Sequence, residues 1–190
     1  MSPRVFFDVS TTHGPIGRLT FALAASSLLP KHVENVRRLC TGECSGLDPA
    51  LTYERCVFEY SPSYVLGPQY KWCHVLKGRG RNAIGRATEA IADAPALARC
   101  ARDGPVNSRY YGLLVEDQRM VLTVPVEGPG RGLTRLAVVR VADSPPSWQQ
   151  RLLLNSAVIG VLDDEDGEAA VQALAVADSP PFVAGCGELT

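Results

Sequence analysis

The chain has 190 residues, of which 46% are hydrophobic and 21% charged, and its formal net charge is −1. This length and composition are typical of one globular domain with its own core, and we expect that domain to span residues 1–190. The near-neutral charge does not favour nucleic acid or an anionic membrane surface as a partner, and no apolar run reaches the roughly 18–20 residues that a membrane-spanning helix needs.

The first forty residues predict two strands and a helix. Residues 5–9 are β-branched and aromatic, which is typical of a strand. Apolar positions alternate over residues 16–23, which predicts its hairpin partner. Pro30 favours a helix start, because the missing N–H of proline costs nothing in the first turn. Apolar residues then recur on one helical face, and we expect Gly42 to end the helix.

The rest of the chain is rich in predicted strands. Short apolar runs bounded by glycine and proline predict strands over 53–65 (in two pieces), 70–76, 113–126, 136–141, 157–162 and 182–186. Residues 167–175 predict a second amphipathic helix, and residues 86–102 are alanine-rich and helix-prone, with an interruption at Pro95. We therefore expect an all-β domain with two well separated helices.

Both ends of the chain resemble one known family, the cyclophilins. The start contains Val5-Phe6-Phe7-Asp8, Pro15-Ile16-Gly17-Arg18 and Thr41-Gly42-Glu43, where the family has VFFDI, PLGR and TGE. The end, Ala184-Gly185-Cys186-Gly187-Glu188-Leu189, resembles the family's ADCGQL. The resemblance implies a closed eight-stranded antiparallel barrel capped by two α-helices. An enlarged helical or loop insertion is expected in the middle, between residues 77 and 111.

The resemblance also implies where a proline-isomerase groove would lie. Rotation about X–Pro faces a barrier of roughly 18–20 kcal/mol, because the amide C–N bond has partial double-bond character. The family lowers this barrier with an arginine aimed at the prolyl nitrogen, a glutamine and an apolar ring pocket. Glu59 stands where the arginine belongs, and Gly67 stands where the glutamine belongs. Tyr64 and Val65 occupy two of the ring-pocket positions.

A second family motif aligns without gaps to residues 124–138. Val126 replaces an asparagine whose backbone grips the substrate. Arg135 replaces a glutamine, and Ala137 replaces a phenylalanine that packs on the proline ring. Trp148 corresponds to a tryptophan at the pocket rim.

These replacements predict a groove without catalytic residues, since an ionised carboxylate cannot donate a hydrogen bond to the prolyl nitrogen. We therefore expect a catalytically degenerate cyclophilin-like protein, a pseudo-isomerase that is not an enzyme. Arg55 and Arg135 are candidate substitutes for the missing donor, although neither is in register. The alternative is accordingly an active peptidyl-prolyl cis-trans isomerase that assists protein folding. The degenerate groove comprises Glu59, Tyr64, Val65, Gly67, Val126, Arg135, Ala137 and Trp148.

The remaining signals concern partners and location. The six cysteines are dispersed without a CxxC, which favours buried thiols, so we expect no metal and no cofactor. Tyrosines and tryptophans around the altered groove suit a protein interface. Cyclophilin-like domains, including degenerate ones, occur as accessory subunits of splicing machines and of ciliary radial spokes. The resemblance thus implies protein partners in a large complex, with no nucleic acid and no membrane. No leader-like segment precedes Arg4, so we expect a cytoplasmic location, with the cytoskeleton or a ciliary axoneme favoured.

Overall fold

The computed structural model describes residues 2–24, 28–60, 73–76, 78, 83, 120–125, 135–140, 156–163 and 165–190. Eight strands and two helices lie within them. In chain order these are β1 (Arg4–Thr11), β2 (Gly14–Ala22), α1 (Pro30–Thr41), β3 (Phe58–Tyr60), β4 (Cys73–Leu76), β5 (Met120–Pro125), β6 (Leu136–Arg140), β7 (Ser156–Leu162), α2 (Glu165–Ala175) and β8 (Phe182–Leu189). The strands form one antiparallel sheet in the order β3-β4-β6-β5-β7-β2-β1-β8. The predicted all-β antiparallel architecture with two helices is confirmed.

Strand β1 joins the beginning and the end of the chain. Its residues alternate between the two faces, and Val5, Phe7 and Val9 are almost completely buried in the core. On one side β1 pairs with β2, and on the other side it pairs with β8, where Arg4 lies opposite Leu189. The two ends that carry the family resemblance are therefore adjacent strands.

The two helices cover the sheet as their sequences indicate. Helix α1 begins at Pro30 and ends at Gly42, whose φ of 64° is left-handed and whose N–H donates to the Arg38 carbonyl at 2.9 Å. Helix α2 packs on β2 at Gly17, where a Cβ atom would lie 2.9 Å from the Cβ of Ala170. The helix approaches this closely because a glycine stands there.

The sheet is not closed into a barrel by hydrogen bonds, so the predicted closed barrel is wrong in this respect. Strands β3 and β8 stand at the two ends of this strand order. In the described residues, the segment 55–58 contacts the start of β8 through an isolated bridge between Val57 and Phe182 and through backbone hydrogen bonds, such as that from the Phe58 N–H to the Pro181 carbonyl at 2.8 Å. These contacts do not extend into a ladder between β3 and β8. The C-terminal part of β8 approaches α1 instead, where Arg37 pairs with Glu188 at 3.1 Å.

Several predictions fall on other residues. The helix-prone stretch 86–102, the strand over 61–65 and the insertion between 77 and 111 lie outside the described residues, apart from residues 78 and 83. The single-domain organisation stays a prediction. Within the part of the chain that is described, no helix combines the length and the apolar character that a membrane crossing requires.

A network of five charged side chains ties α1 to the end of the chain. Glu34 accepts hydrogen bonds from Arg37 at 2.8 Å and from Arg38 at 2.6 Å. Arg37 also pairs with Glu43 and Glu188, each at 3.1 Å. The hydrogen bond from Arg37 is the main reason that the pKa of Glu34 falls from 4.5 to about 2. Burial alone would raise the pKa of Glu34, and the interactions with Arg37 and Arg38 outweigh this effect of burial.

We expect Glu34→Gln to destabilise the protein at pH 7 by about 1 kcal/mol, since the side chain is 35% exposed and solvent screens the pair. The folded-state pKa lies below the ordinary value, so the stabilisation is fully present above pH 4.5 and is lost as the pH falls towards 2. Urea unfolding at pH 7 and at about pH 2 should therefore show a difference between wild type and variant that shrinks at the lower pH. Asp178→Asn, at an exposed position after α2, is the control. A difference independent of pH would contradict the assignment.

Candidate functional site

One row of paired residues crosses four strands on a single face of the sheet. Glu59 of β3 lies opposite Val75 of β4, Val75 opposite Ala137 of β6, and Ala137 opposite Thr123 of β5. Directly opposed residues of antiparallel strands project to the same face. We call these four residues the outer row. Glu59 is exposed and the other three are nearly completely buried, so a carboxylate stands at the edge of an apolar floor.

The outer row lies on the face opposite the main core. The next row along the same strands contains Phe58, Leu76 and Leu136, which are paired with one another and belong to the hydrophobic core. Because successive side chains of a strand point to opposite faces, the outer row points away from that core. Proteins with the predicted groove would carry it on this face.

Arg135 lies on the same face as the outer row. It immediately precedes β6, is half-buried, and is two residues before Ala137, so the alternation of the strand gives both residues the same side. Glu59 and Ala137, two of the predicted groove residues, share one row of the sheet, and Arg135 directly precedes the strand that carries Ala137. One strand separates Glu59 from Ala137, which puts their Cα atoms about 10 Å apart.

The structure does not describe the other five predicted groove residues. Tyr64, Val65, Gly67, Val126 and Trp148 lie outside the described residues, and their roles stay predictions.

Val75 is the residue that stands beside Glu59. The strand that pairs with β3 is Cys73–Leu76, which lies within the run 70–76 predicted to form a strand. Val75 was not among the predicted groove residues, although the apolar run over 70–76 was the signal that could have identified it.

The outer row and Arg135 form a surface with complementary chemical parts. Arg135 carries a permanently charged guanidinium with five N–H donors, whereas an ionised Glu59 can only accept. Val75 and Ala137, between them, are apolar and 4% and 3% exposed. Thr123 donates its hydroxyl to the carbonyl of Ala137 at 3.5 Å, which directs that polar group into the sheet. A peptide amide at this surface would meet a donor and an apolar wall together.

A separate cavity lies on the inner side of β8, beside the open edge of the sheet. Its volume is about 380 Å³, and it lies between the end of α1, the loop 42–55 and Cys186. Its polar lining comprises Thr41, Ser45, Thr52, Glu54, Arg55 and Cys186. Cys186 pairs with the core residue Phe7, which separates this β8 cavity from the outer row by the thickness of the sheet.

Arg55 has the only left-handed backbone among the described residues other than glycine, with a φ of 63°. This conformation costs an L-residue about 1–2 kcal/mol. Two hydrogen bonds hold it, because the Arg55 N–H donates to the Val183 carbonyl at 2.8 Å and the next N–H, of Cys56, donates to the Tyr53 carbonyl at 2.9 Å. Arg55 is thereby fixed at the cavity and not on the outer row, so it is not a substitute donor there.

The thiols at the cavity are held in the neutral form. Burial is the main cause that raises the pKa of Cys186 to about 11, and the hydrogen bond with Thr52 opposes it. Burial also raises the pKa of the Cys40 thiol, which lines the same cavity. Among the described residues, no group of three or more histidine, cysteine or acidic side chains is arranged to hold a metal ion.

Two curated proteins are similar to part of this chain. The peptidyl-prolyl cis-trans isomerase H of Rhizopus delemar is 41% identical over 56 residues, which are 30% of this chain and 31% of that protein. The peptidyl-prolyl cis-trans isomerase CYP22 of Arabidopsis thaliana is 44% identical over 57 residues, which are 30% of this chain and 28% of that protein. The matches thus cover about a third of these relatives' length, and no family model matches the chain. Together with the antiparallel sheet, they support a cyclophilin-like domain.

The comparisons overturn one prediction made from the groove residues. Both relatives are named as isomerases, which are enzymes, so the prediction that this chain is not an enzyme is wrong. That prediction rested on several replacements taken together, among them Glu59, Gly67 and Ala137. Arg135 on the same face supplies the type of donor that Glu59 lacks. The predicted protein partners and the ciliary or cytoskeletal setting stay predictions.

Proposed function

We propose that this protein is a peptidyl-prolyl cis-trans isomerase. The observation that carries the proposal is the similarity of part of the chain to two proteins named as isomerases. The outer row and Arg135 support it, because a half-buried arginine lies two residues from Ala137 and an exposed carboxylate, Glu59, lies at the end of the same row. The substrate class is a peptide that contains an X–Pro bond.

The proposed mechanism weakens amide resonance in two ways. A guanidinium N–H of Arg135 donates to the prolyl nitrogen, which gains electron density as the C–N bond twists and resonance is lost. Apolar surroundings, to which the buried Val75 and Ala137 contribute, favour the twisted amide, which is less charge-separated than the planar one. Glu59, at the exposed end of the outer row, accepts an N–H from the peptide backbone and helps to orient it. No covalent bond forms or breaks.

The test is the rate of cis–trans exchange of a short Ala-Pro peptide, measured by NMR exchange spectroscopy with and without the protein. We expect exchange well above the uncatalysed process, which takes tens to hundreds of seconds at 25 °C. Heat-denatured protein is the control. An exchange rate equal to background at protein concentrations comparable to the peptide would contradict the proposal.

A further inference from the structure

We propose that the β8 cavity is a binding site for a small zwitterion of the α-amino acid type, bound non-covalently. The site is independent of the proposed isomerase surface, because the outer row lies on the other face of the sheet. Its volume of about 380 Å³ is within the range of about 300–1,000 Å³ that small-molecule sites occupy. The choice of ligand rests on the charges, the hydroxyl groups and the backbone at its mouth.

The mouth of the cavity carries one charge of each sign. Glu54 and Arg55 are consecutive, both are exposed, and both line the cavity. In the part of the chain that the structure describes, neither side chain forms an ion pair. A ligand with one ammonium and one carboxylate group can pair with both at once, and such charge-assisted hydrogen bonds are the stronger ones. A ligand with a single charge engages only one of them.

The wall between these charges suits a short, partly polar body. Thr41, Ser45 and Thr52 contribute hydroxyl groups, each of which can donate and accept. The Thr41 hydroxyl donates to the Arg38 carbonyl at 3.2 Å, which leaves its lone pairs available to a ligand ammonium. Pro49 and Gly42 supply small apolar surfaces. Among the described residues, no bulky aromatic side chain lines the cavity, so the volume of the cavity sets the size of the ligand.

The backbone of Arg55 is the second, independent observation. A left-handed φ of 63° is one that glycine adopts without strain, and here it carries the longest cationic side chain instead. Residues held in such conformations by their surroundings cluster at ligand sites. The hydrogen bond from the Arg55 N–H to the Val183 carbonyl fixes this backbone conformation next to β8, at the cavity that Arg55 lines. Pre-organisation of this kind reduces the entropy lost on binding.

The experiment is titration of the ¹⁵N-labelled full chain with glycine, L-alanine and L-serine, followed by NMR shifts of the amides of Thr52, Arg55 and Cys186. Acetate and methylammonium serve as half-ligands that carry one charge each. We expect at least one amino acid to saturate with a Kd below about 1 mM, and each half-ligand to bind at least about tenfold more weakly, since one charge-assisted contact is lost. Isomerase activity, measured in parallel, should not change with the amino acid.

Two variants separate a binding role of Arg55 from a structural one. Arg55→Gly removes the guanidinium and relieves the backbone, so we expect affinity to fall at least about tenfold while the midpoint of thermal unfolding stays the same or rises. Glu54→Gln should weaken binding similarly without changing the fold. Arg4→Gln is the control. Arg4 pairs with Asp163 and does not line the cavity, so this variant should bind as wild type does.

The proposal is overturned if no amino acid saturates, if the half-ligands bind as tightly as the zwitterions, or if Arg55→Gly binds as well as wild type. Loss of thermal stability in Arg55→Gly would also overturn it, because it would make Arg55 a structural residue. None of these outcomes depends on whether the protein catalyses prolyl isomerisation.

Discussion

Replacing Arg135 by glutamine should lower kcat/KM for an Ala-Pro peptide by about 10²-fold or more, which is the usual cost of removing one pre-organised donor from an active site. Arg135 is the cationic donor that the described structure provides on the face of the outer row. Glutamine keeps much of the size and polarity of arginine but loses the charge and the forked arrangement of N–H groups. The measurement is catalysed cis–trans exchange, with the unfolding midpoint of each variant checked in urea.

The matched control for this prediction is Arg18→Gln. Arg18 belongs to β2, which is separated from β6 by β5 and β7, and its guanidinium is engaged by Asp8 and lies over the ring of Phe6. Its replacement should leave kcat/KM unchanged. Arg135→Lys should recover part of the activity, because it restores a charge but not the fork. Full activity in Arg135→Gln would exclude Arg135 as the donor and leave the similarity to named isomerases without a mechanism in this chain.

Replacing Phe7 by alanine should lower the free energy of unfolding by about 3–5 kcal/mol, the usual cost of removing a phenylalanine from a core. Phe7 is 1% exposed and packs edge-on against Phe21 and Tyr53, with ring centroids 6.2 and 5.9 Å away. Those two rings come from β2 and from the segment before β3. The cavity left by alanine would therefore loosen contacts between parts of the chain that are far apart in sequence.

Phe6→Ala is the control within the same strand. Phe6 is one residue away and points to the other face, where it is half-buried and contacts the guanidinium of Arg18 at 4.1 Å from the ring centroid. We expect a cost of about 1 kcal/mol from a cation–π contact of this exposed type and the area it covers. Urea unfolding of both variants compares them. Equal losses for the two would mean that Phe7 is not in the core as described.

The sequence predicts the elements whose pattern is local. The alternation in β1 and β2 and the apolar face of α1 identify them because each is formed by neighbours along the chain. Gly42 marks the end of α1 for the same reason, since its left-handed conformation is a local requirement. These elements also carry the family resemblance, so pattern and resemblance agree in this part of the chain.

The pairing of distant segments could not be predicted in the same way. The partner of β3 is β4, and Val75 stands opposite Glu59, a pairing of separate segments that the pattern within either strand does not determine. Closure of the barrel likewise depends on contacts between segments that are distant in the sequence. Arg55 gives no sequence signal, since a left-handed arginine is imposed by its hydrogen bonds and not by its own preference. The β8 cavity likewise combines α1, a loop and the last strand.

The position of β1 between β2 and β8 has a consequence for how the chain acquires its structure. The β1–β2 hairpin is local and can form as soon as both of its strands are synthesised. The β1–β8 ladder forms later, because it needs Arg4 to pair with Leu189. Such a high contact order makes folding slow, on the order of milliseconds to seconds, because loop closure must precede the gain from pairing. On the ribosome, the backbone N–H and C=O groups on one edge of β1 have no strand partner until β8 emerges. A nascent chain would associate with other copies or with a chaperone at this edge.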